Sequence, residues 1–464
     1  MTPPSLRTSL LPQKGLLALA KSPVGRLAPV LEMAERPVRA CVLDTFDQRI
    51  LAQDGLLLGS TRGLDLLTRE GEILSQPGGA GFVTDLPDGP VKEGLRHLPA
   101  LRSLCVLAKG EVLQGTLRLE DEAGKTRARL GLRQITMDGR TAVLATLFPL
   151  RGYDKATAAL RERLAQCGAR PLSHDRLCDL LLPDLPMARA EIDITGDATL
   201  LEAATAILAA HLPVLAAHAP GIIADLDTEF LHQYRVALRK MRLVALLFRQ
   251  AWRPDVAAVL KARLAGLMRP TGAQRDLDVL LLDRAGLERL LPPVLQPGLA
   301  GLFDLVQAER RAAHDALVTH LQSDAFRGEV AALTRLISRR SSPGKAAERP
   351  FLALARALAR KPLVLRLDPS VPDEALHALR LQIKTRRYLM DFLGEDSRPL
   401  RRLQDELGRF NDLCVQQSRL QGLLSRHPEA DPVTAQSVGA LIAVLYGQAQ
   451  VARAEVIARM EESP

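Results

Sequence analysis

Residues 232–248 read HQYRVALRKMRLVALLF, and residues 377–393 read HALRLQIKTRRYLMDFL. His232, Arg235, Arg239 and Arg242 stand at the same relative positions (first, +3, +7, +10) as His377, Arg380, Lys384 and Arg387. At about 100° per residue these positions fall at about 0°, 300°, 340° and 280° around an α-helix, within roughly 80° of arc. Each stretch therefore predicts a helix bearing one basic stripe about 15 Å long. Arg249, seventeen residues after His232, extends the first stripe at about 260°. A looser element follows each copy: Gly272, Arg275-Asp276-Leu277 and Val279 match Gly408, Asn411-Asp412-Leu413 and Val415.

Like charges three and four residues apart on a helix repel, so the stripes cost stability unless an anion compensates them. Asp276, Asp278, Asp405 and Asp412 are internal candidates, and an external polyanion is the other. Arginine predominates in the stripes, and its forked donors suit phosphate or carboxylate oxygens. The candidate anion-binding set is thus His232, Arg235, Arg239, Arg242, Arg249, Arg275, His377, Arg380, Lys384 and Arg387. Asp276 and Asp412 read as residues that orient arginines rather than as catalytic bases, and no catalytic residue is assigned. Arg310-Arg311, Arg339-Arg340, Arg360-Lys361 and Arg401-Arg402 could widen the surface, with a solvated face as the default reading of each.

The surroundings of the repeat agree with this reading. The chain has 464 residues, enough for two or three domains, and 47% are hydrophobic, enough for true cores. Leu, Ala and Arg dominate while aromatics make up 3%, a balance that favours helices and leaves few platforms for stacking bases. The net charge of +9 suits an anionic partner without naming one. Cys41, Cys105, Cys167, Cys178 and Cys414 are scattered and never form a CxxC pair, which favours free thiols over a disulfide framework or zinc knuckle. Lys14 interrupts the apolar N-terminus and no uninterrupted apolar run reaches transmembrane length, so cytoplasm is the expected location. One histidine on each of two helices is too few for a metal site, and no metal or other cofactor is expected.

Residues 24–190 form an expected α+β domain. Short apolar runs alternate with turn signals at Asp54-Gly55, Pro77-Gly78-Gly79, Asp88-Gly89-Pro90 and Asp138-Gly139. Strands are expected over Ser103–Ala108, Val112–Glu120, Thr126–Gln134 and Thr141–Phe148, then a helix over Asp154–Gln166 with Gly168 beyond its end. Residues 197–464 read as all-α, with helices over Leu200–His211, Thr228 to about Trp252, Asp255–Met268, Leu277–Leu291, Gly298–Leu321, Gly328–Ser338, Arg349–Lys361, Asp373–Leu393, Ser397–Ser425 and about Pro432–Met460. The polar stretch SRRSSPGKAAER, 338–349, separates internal repeats of about 197–338 and 349–464.

HQYRVALRKMR with RDLDVL, and HALRLQIKTRRY with LQDELGRFNDL, resemble the CHAD family, the conserved histidine alpha-helical domain. The resemblance runs from about Asp197 to the end. It implies a pair of related four-helix bundles around a basic groove, binding of inorganic polyphosphate, and association with polyphosphate granules. The family's histidine and basic positions fall on His232, Arg235, Arg239, Arg242, His377, Arg380, Lys384 and Arg387. The first domain resembles a degenerate CYTH or triphosphate-tunnel barrel, through LDTFDQRILAQDGLLL at 43–58 and FPLRGYDKATAALRERLAQCG at 148–168. The alternating-glutamate opening strand of that family is absent, and Gly59-Ser60-Thr61-Arg62 stands where a Leu-Arg-x-Arg strand would follow. Glu70, Glu72, Glu111, Glu120 and Glu122 are the remaining acidic candidates for a metal-dependent triphosphate or polyphosphate hydrolase, the first alternative function. Nucleic-acid binding is the second, although no Gly-rich phosphate loop, zinc module or aromatic-basic platform supports a specific nucleic-acid partner. Tyr234 and Tyr388 read as packing residues rather than a stacking series. The expectation is a non-enzymatic polyphosphate-binding protein.

Overall fold

The computed structural model describes residues 8–183, 190, 192–338, 343–361 and 370–461. Residues 1–189 and 190–464 form two compact units.

The first unit is a curled antiparallel sheet. Its strands are β1 (Thr8–Leu11), β2 (Ala28–Met33), β3 (Val38–Asp44), β4 (Gly55–Ser60), β5 (Gly63–Thr68), β6 (Ile73–Gln76), β7 (Gly81–Phe82), β8 (Ser103–Glu120), β9 (Thr126–Met137), β10 (Arg140–Phe148) and β11 (Arg170–Pro171). The order is β11-β1-β10-β9-β8-β3-β4-β5-β6, and β2 and β7 also pair with β8. The curl amounts to a half-barrel. Arg133 of β9 reaches Asp65 of β5 at 2.9 Å although three strands separate them in the sheet, and Thr8 Oγ1 of β1 donates to the Gly71 carbonyl beyond β5 at 2.9 Å.

Helices α1 (Gln13–Lys21), α2 (Arg49–Gln53), α3 (Pro90–Gly94), α4 (Asp154–Gln166) and α5 (His174–Leu181) complete the unit. Leu117 and Leu119 face outward into a core with Leu16 and Leu19 of α1 and Leu160 and Leu164 of α4. Asp44 closes β3 and is fully buried. Its carboxylate accepts the backbone N–H groups of Ile50 (2.9 Å) and Leu51 (2.8 Å) of α2, and burial pushes its pKa up to about 6.

The two pieces expected over 103–108 and 112–120 are one strand, β8. The intervening Lys109-Gly110-Glu111 is a close approach rather than a turn, because a Cβ on Gly110 would lie 1.8 Å from the Thr136 carbonyl of β9. The apolar segment around Leu10 to Ala20 forms β1 and α1 and so belongs to this unit.

The second unit is helical: α6 (Leu200–Ile223), α7 (Thr228–Leu247), α8 (Pro254–Met268), α9 (Gly272–Leu282), α10 (Arg284–Arg289), α11 (Leu299–Gln322), α12 (Asp324–Ser338), α13 (Phe351–Ala359), α14 (Asp373–Phe392), α15 (Arg398–Arg426) and α16 (Pro432–Glu461). Helices α6, α7, α8 and α12 pack together, and α14, α15 and α16 pack with the start of α11. Helix α11 belongs to both groups. Leu299, Leu302, Phe303 and Val306 join the core of the second repeat, while its further length contacts α6 and α12.

Helix α6 continues past His211 through Pro213 and Pro220, two residues that would each cost a solvent-exposed helix about 3 kcal/mol. Burial of Leu208, Val214, Leu215 and Ile222 outweighs local propensity there. By length and composition α6 could cross a membrane, but it packs here as a bundle helix, with His211 and His218 buried and donating Nδ1 to the carbonyls four residues earlier.

At the middle of α11, Arg310 bonds Asp278 of α9 at 2.9 Å and also pairs with Asp225 in the α6–α7 turn. The Asp278 side chain is 1% exposed, so removing its partner leaves a buried carboxylate. Arg310→Met should lower unfolding free energy in urea by about 3 kcal/mol. Arg310→Met combined with Asp278→Leu should recover most of that loss.

Candidate functional site

Both stripe segments are helices because their apolar positions recur at helical spacing on the face opposite the charges. In α7, Leu231, Tyr234, Leu238, Met241 and Ala245 are buried, and Asp227 caps the first turn by accepting the N–H of Glu229 (2.9 Å) and Phe230 (3.2 Å). In α14, Leu376, Leu379, Ile383 and Leu389 are buried. The charged faces are not freely solvated. His232, Arg235, Arg239, Arg380, Lys384 and Arg387 are all half-buried, while Arg242 and His377 are exposed.

The second motif element packs against the first in each repeat, α9 against α7 and α15 against α14. Arg235 Nη1 donates to Thr271 Oγ1 at 2.5 Å, and that hydroxyl donates to the Met268 carbonyl at 2.6 Å. In the second repeat His377 Nδ1 lies 2.9 Å from Asn411 Oδ1, a contact that requires the proton on Nδ1. Arg380 stands 3.9 Å from Asp412. Asp276 is bound by Arg419 of α15, at 2.6 Å, and is in no ion pair with Arg235 or Arg275.

Electrostatics join the two repeats. Burial holds the Arg235 guanidinium below its ordinary range, and Arg239, Arg275 and Arg242 push it the same way against the pull of Asp276. Burial likewise lowers Arg275, with Arg239 adding to it and Glu229, Asp278 and Asp276 opposing. Lys384 is brought down to about 8, first by burial and then by Arg239, Arg380 and Arg387, with Asp412 opposing. Arg239 lies on α7 and Lys384 on α14, so one cation of each stripe is within electrostatic reach of the other.

Arg235 Nε, Arg239 Nε, Arg275 Nη1 and Arg387 Nε are buried donors without an acceptor. Among the described residues Arg239, Arg242, Lys384 and Arg387 make no ion pair. A cavity of about 400 Å3 opens beside them, lined by Arg380, Lys384, Asp405, Arg409 and Asp412. The arrangement can hold a multivalent anion by filling vacant donors. Among the described residues no group of three or more His, Cys, Asp or Glu is placed to hold a metal ion.

Several expected positions lie elsewhere. Helix α7 stops at Leu247, so Arg249 sits in a following 3-10 turn and does not prolong the stripe along the helix. Arg310 is consumed by Asp225 and Asp278; Arg311, Arg360, Lys361, Arg401 and Arg402 are exposed. Arg339 and Arg340 lie outside the described residues. Sequence reasoning missed Thr271 and Arg419. Arg419 follows Asp412 by seven residues on α15 and so shares its face, but nothing in the spacing places α9 opposite.

In the first unit, positions facing into the curl include an aliphatic cluster of Ala40, Val42, Leu56, Leu58, Ile135 and Leu144, completed by Leu177, Leu181 and Leu182. Beside it lies a cavity whose polar lining includes Glu32, Gln114, Thr116 and Arg133, with Arg133 paired to Asp65. Glu70, Glu72, Glu111 and Glu122 are exposed, and Glu120 bonds Arg118 at 2.9 Å.

Residues 206–421 match the family model described as the CHAD domain. None of the curated proteins matches the sequence. Solved structures similar to it include PptA from Streptomyces chartreusis, at 20% identity and TM-score 0.42, covering 56% of this chain and 99% of that one. The CHAD domain from the plant Ricinus communis is 26% identical with TM-score 0.45, covering 59% of this chain and 96% of that one.

Lys384 supplies a pH test. Its free-state pKa of about 8 means that its charge is present below that pH and lost as pH rises through it. A bound anion restores the proton, so binding of a phosphate polyanion at pH 8.5 should take up protons and weaken from pH 7 to 9. Calorimetry in two buffers of different ionisation enthalpy reads the uptake, and Lys384→Met should abolish most of it.

Proposed function

We propose that the CHAD domain of this chain binds inorganic polyphosphate without chemically changing it, through the surface where the α7 and α14 stripes converge. The observation that carries this reading is the set of buried guanidinium donors without acceptors, on Arg235, Arg239, Arg275 and Arg387. An unmade hydrogen bond from a charged group is costly, and repulsion among neighbouring cations adds to that cost. A linear polymer with a negative charge on every unit answers both at once. It offers oxygens to forked donors and counter-charge along the full length of two stripes. His232, Arg235, Arg239, Arg242, Arg275, His377, Arg380, Lys384 and Arg387 form the proposed contact set, with Arg249 as a peripheral contact.

The aliphatic cluster that fills part of the curled sheet, with the charged groups beside it paired to one another, supports a scaffold role for the first unit over a metal-dependent hydrolase. Chemistry on a triphosphate needs carboxylates free to hold a metal ion beside cations free to hold the phosphates, and here Arg133 is paired with Asp65 and Arg118 with Glu32 and Glu120. A cytoplasmic location, at polyphosphate granules where these form, fits the proposed ligand.

Labelled polyphosphate challenged with DNA, RNA and ATP across a salt series tests the reading directly. Affinity should fall with salt, and unlabelled polyphosphate should displace the label at concentrations where the nucleic acids and ATP do not. Equal displacement by DNA would replace this reading with general attraction to negative charge. Changing Arg235, Arg239, Lys384 and Arg387 to Gln together should weaken binding at least about 100-fold while the helical circular dichroism is kept. Incubation with polyphosphate and Mg2+ or Mn2+ should release no phosphate.

A further inference from the structure

The two repeats handle their equivalent aspartates in opposite ways. Asp276 and Asp412 occupy the same repeat position, as do Arg235 and Arg380. In the second repeat Asp412 remains beside Arg380, at 3.9 Å, and partly neutralises it. In the first repeat the carboxylate of Asp276 is turned to Arg419, whose Nη2 lies 2.6 Å from Oδ1 and whose Nη1 donates to the Asp276 carbonyl at 3.2 Å. Arg419 belongs to α15, in the second repeat. Its own counterpart seven residues beyond Asp276 is an acid, Asp283, which accepts from Gln416 of α15 at 3.1 Å. No equivalent arginine therefore draws Asp412 away.

Resting on the polyphosphate reading, we infer that Arg419 is a positioning residue that withdraws Asp276 from Arg235 and Arg275, making the first repeat the tighter half of the anion site. Arg235 and Arg275, whose charges feel that of Asp276, each keep a buried N–H without an acceptor, as does Arg239 of the same repeat, against Arg387 in the second. Arg380, the counterpart of Arg235, has its carboxylate neighbour in place. Two contacts from one guanidinium to one residue fix both the side chain and the backbone of Asp276, a geometry suited to holding a carboxylate off a competing cation. Freed from Arg419, Asp276 would be an internal competitor for the ligand, already tethered within reach of Arg235 and Arg275.

The test uses the full chain and polyphosphate of defined length in a fluorescence titration at moderate salt. Arg419→Met should weaken binding about tenfold, and Asp276→Asn alone should change it less than about twofold. The double variant Arg419→Met/Asp276→Asn should return to within about twofold of the unaltered chain, because the competitor has lost its charge. Asp412→Asn, at an exposed position whose other contact is the neighbouring Asn411 amide, should tighten binding by freeing Arg380. A double variant as weak as Arg419→Met alone would make Arg419 merely structural and overturn the inference. Unchanged affinity in Arg419→Met would do the same while leaving the polyphosphate reading intact. Absence of binding by the unaltered chain would instead overturn that reading and everything resting on it.

Discussion

Cations held close to cations, partly out of water and short of counter-charge, are the constraint around which the helical unit is organised. Arg235, Arg239, Arg275 and Lys384 are all half-buried, and Lys384 feels arginines from both repeats. Such a cluster opposes folding on its own, through desolvation and repulsion together. It persists because the apolar faces of α7 and α14 are committed to the cores, which fixes the charged faces on the opposite sides of the two helices. Stability is drawn from Leu231, Leu238, Leu376 and Ile383, while Arg235, Arg239 and Lys384 are left in want of an anion.

The remaining charges show the opposite policy. Arg310 sits between two carboxylates and locks three helical segments, and Arg426 bonds Glu309 at 2.8 Å between α15 and α11. Paired and unpaired arginines thus coexist, as Arg380 and Arg387 do on one helix. A count of basic residues along the chain cannot separate them, because the carboxylates that decide the matter come from other helices.

Much of the fold was legible in the sequence, and the reason differs from place to place. Helices α14, α15 and α16 were expected within a residue or so at each end, since strong periodicity and flanking breakers agree there. The two stripes were legible because equal spacing fixes a helix face. Their convergence was not, since spacing along one helix says nothing of its neighbour. Helix α6 was read too short because Pro213 and Pro220 are breakers unless packing holds them. Strand β8 was read as two pieces because Lys109-Gly110-Glu111 interrupts the apolar run, whereas in space Gly110 is a close crossing. Arg419 went unseen for the same reason as the convergence, its partner lying 143 residues away on α9.

Helix α11, with one end in each core, has a mechanical consequence. A hinge between the repeats would have to bend or extract a 24-residue helix, so the stripes are kept at a set separation and angle. A phosphate polymer is flexible and takes its shape from whatever it lies against. In the proposed binding the protein would act as the ruler, and the polymer would surrender most of the conformational freedom lost on docking.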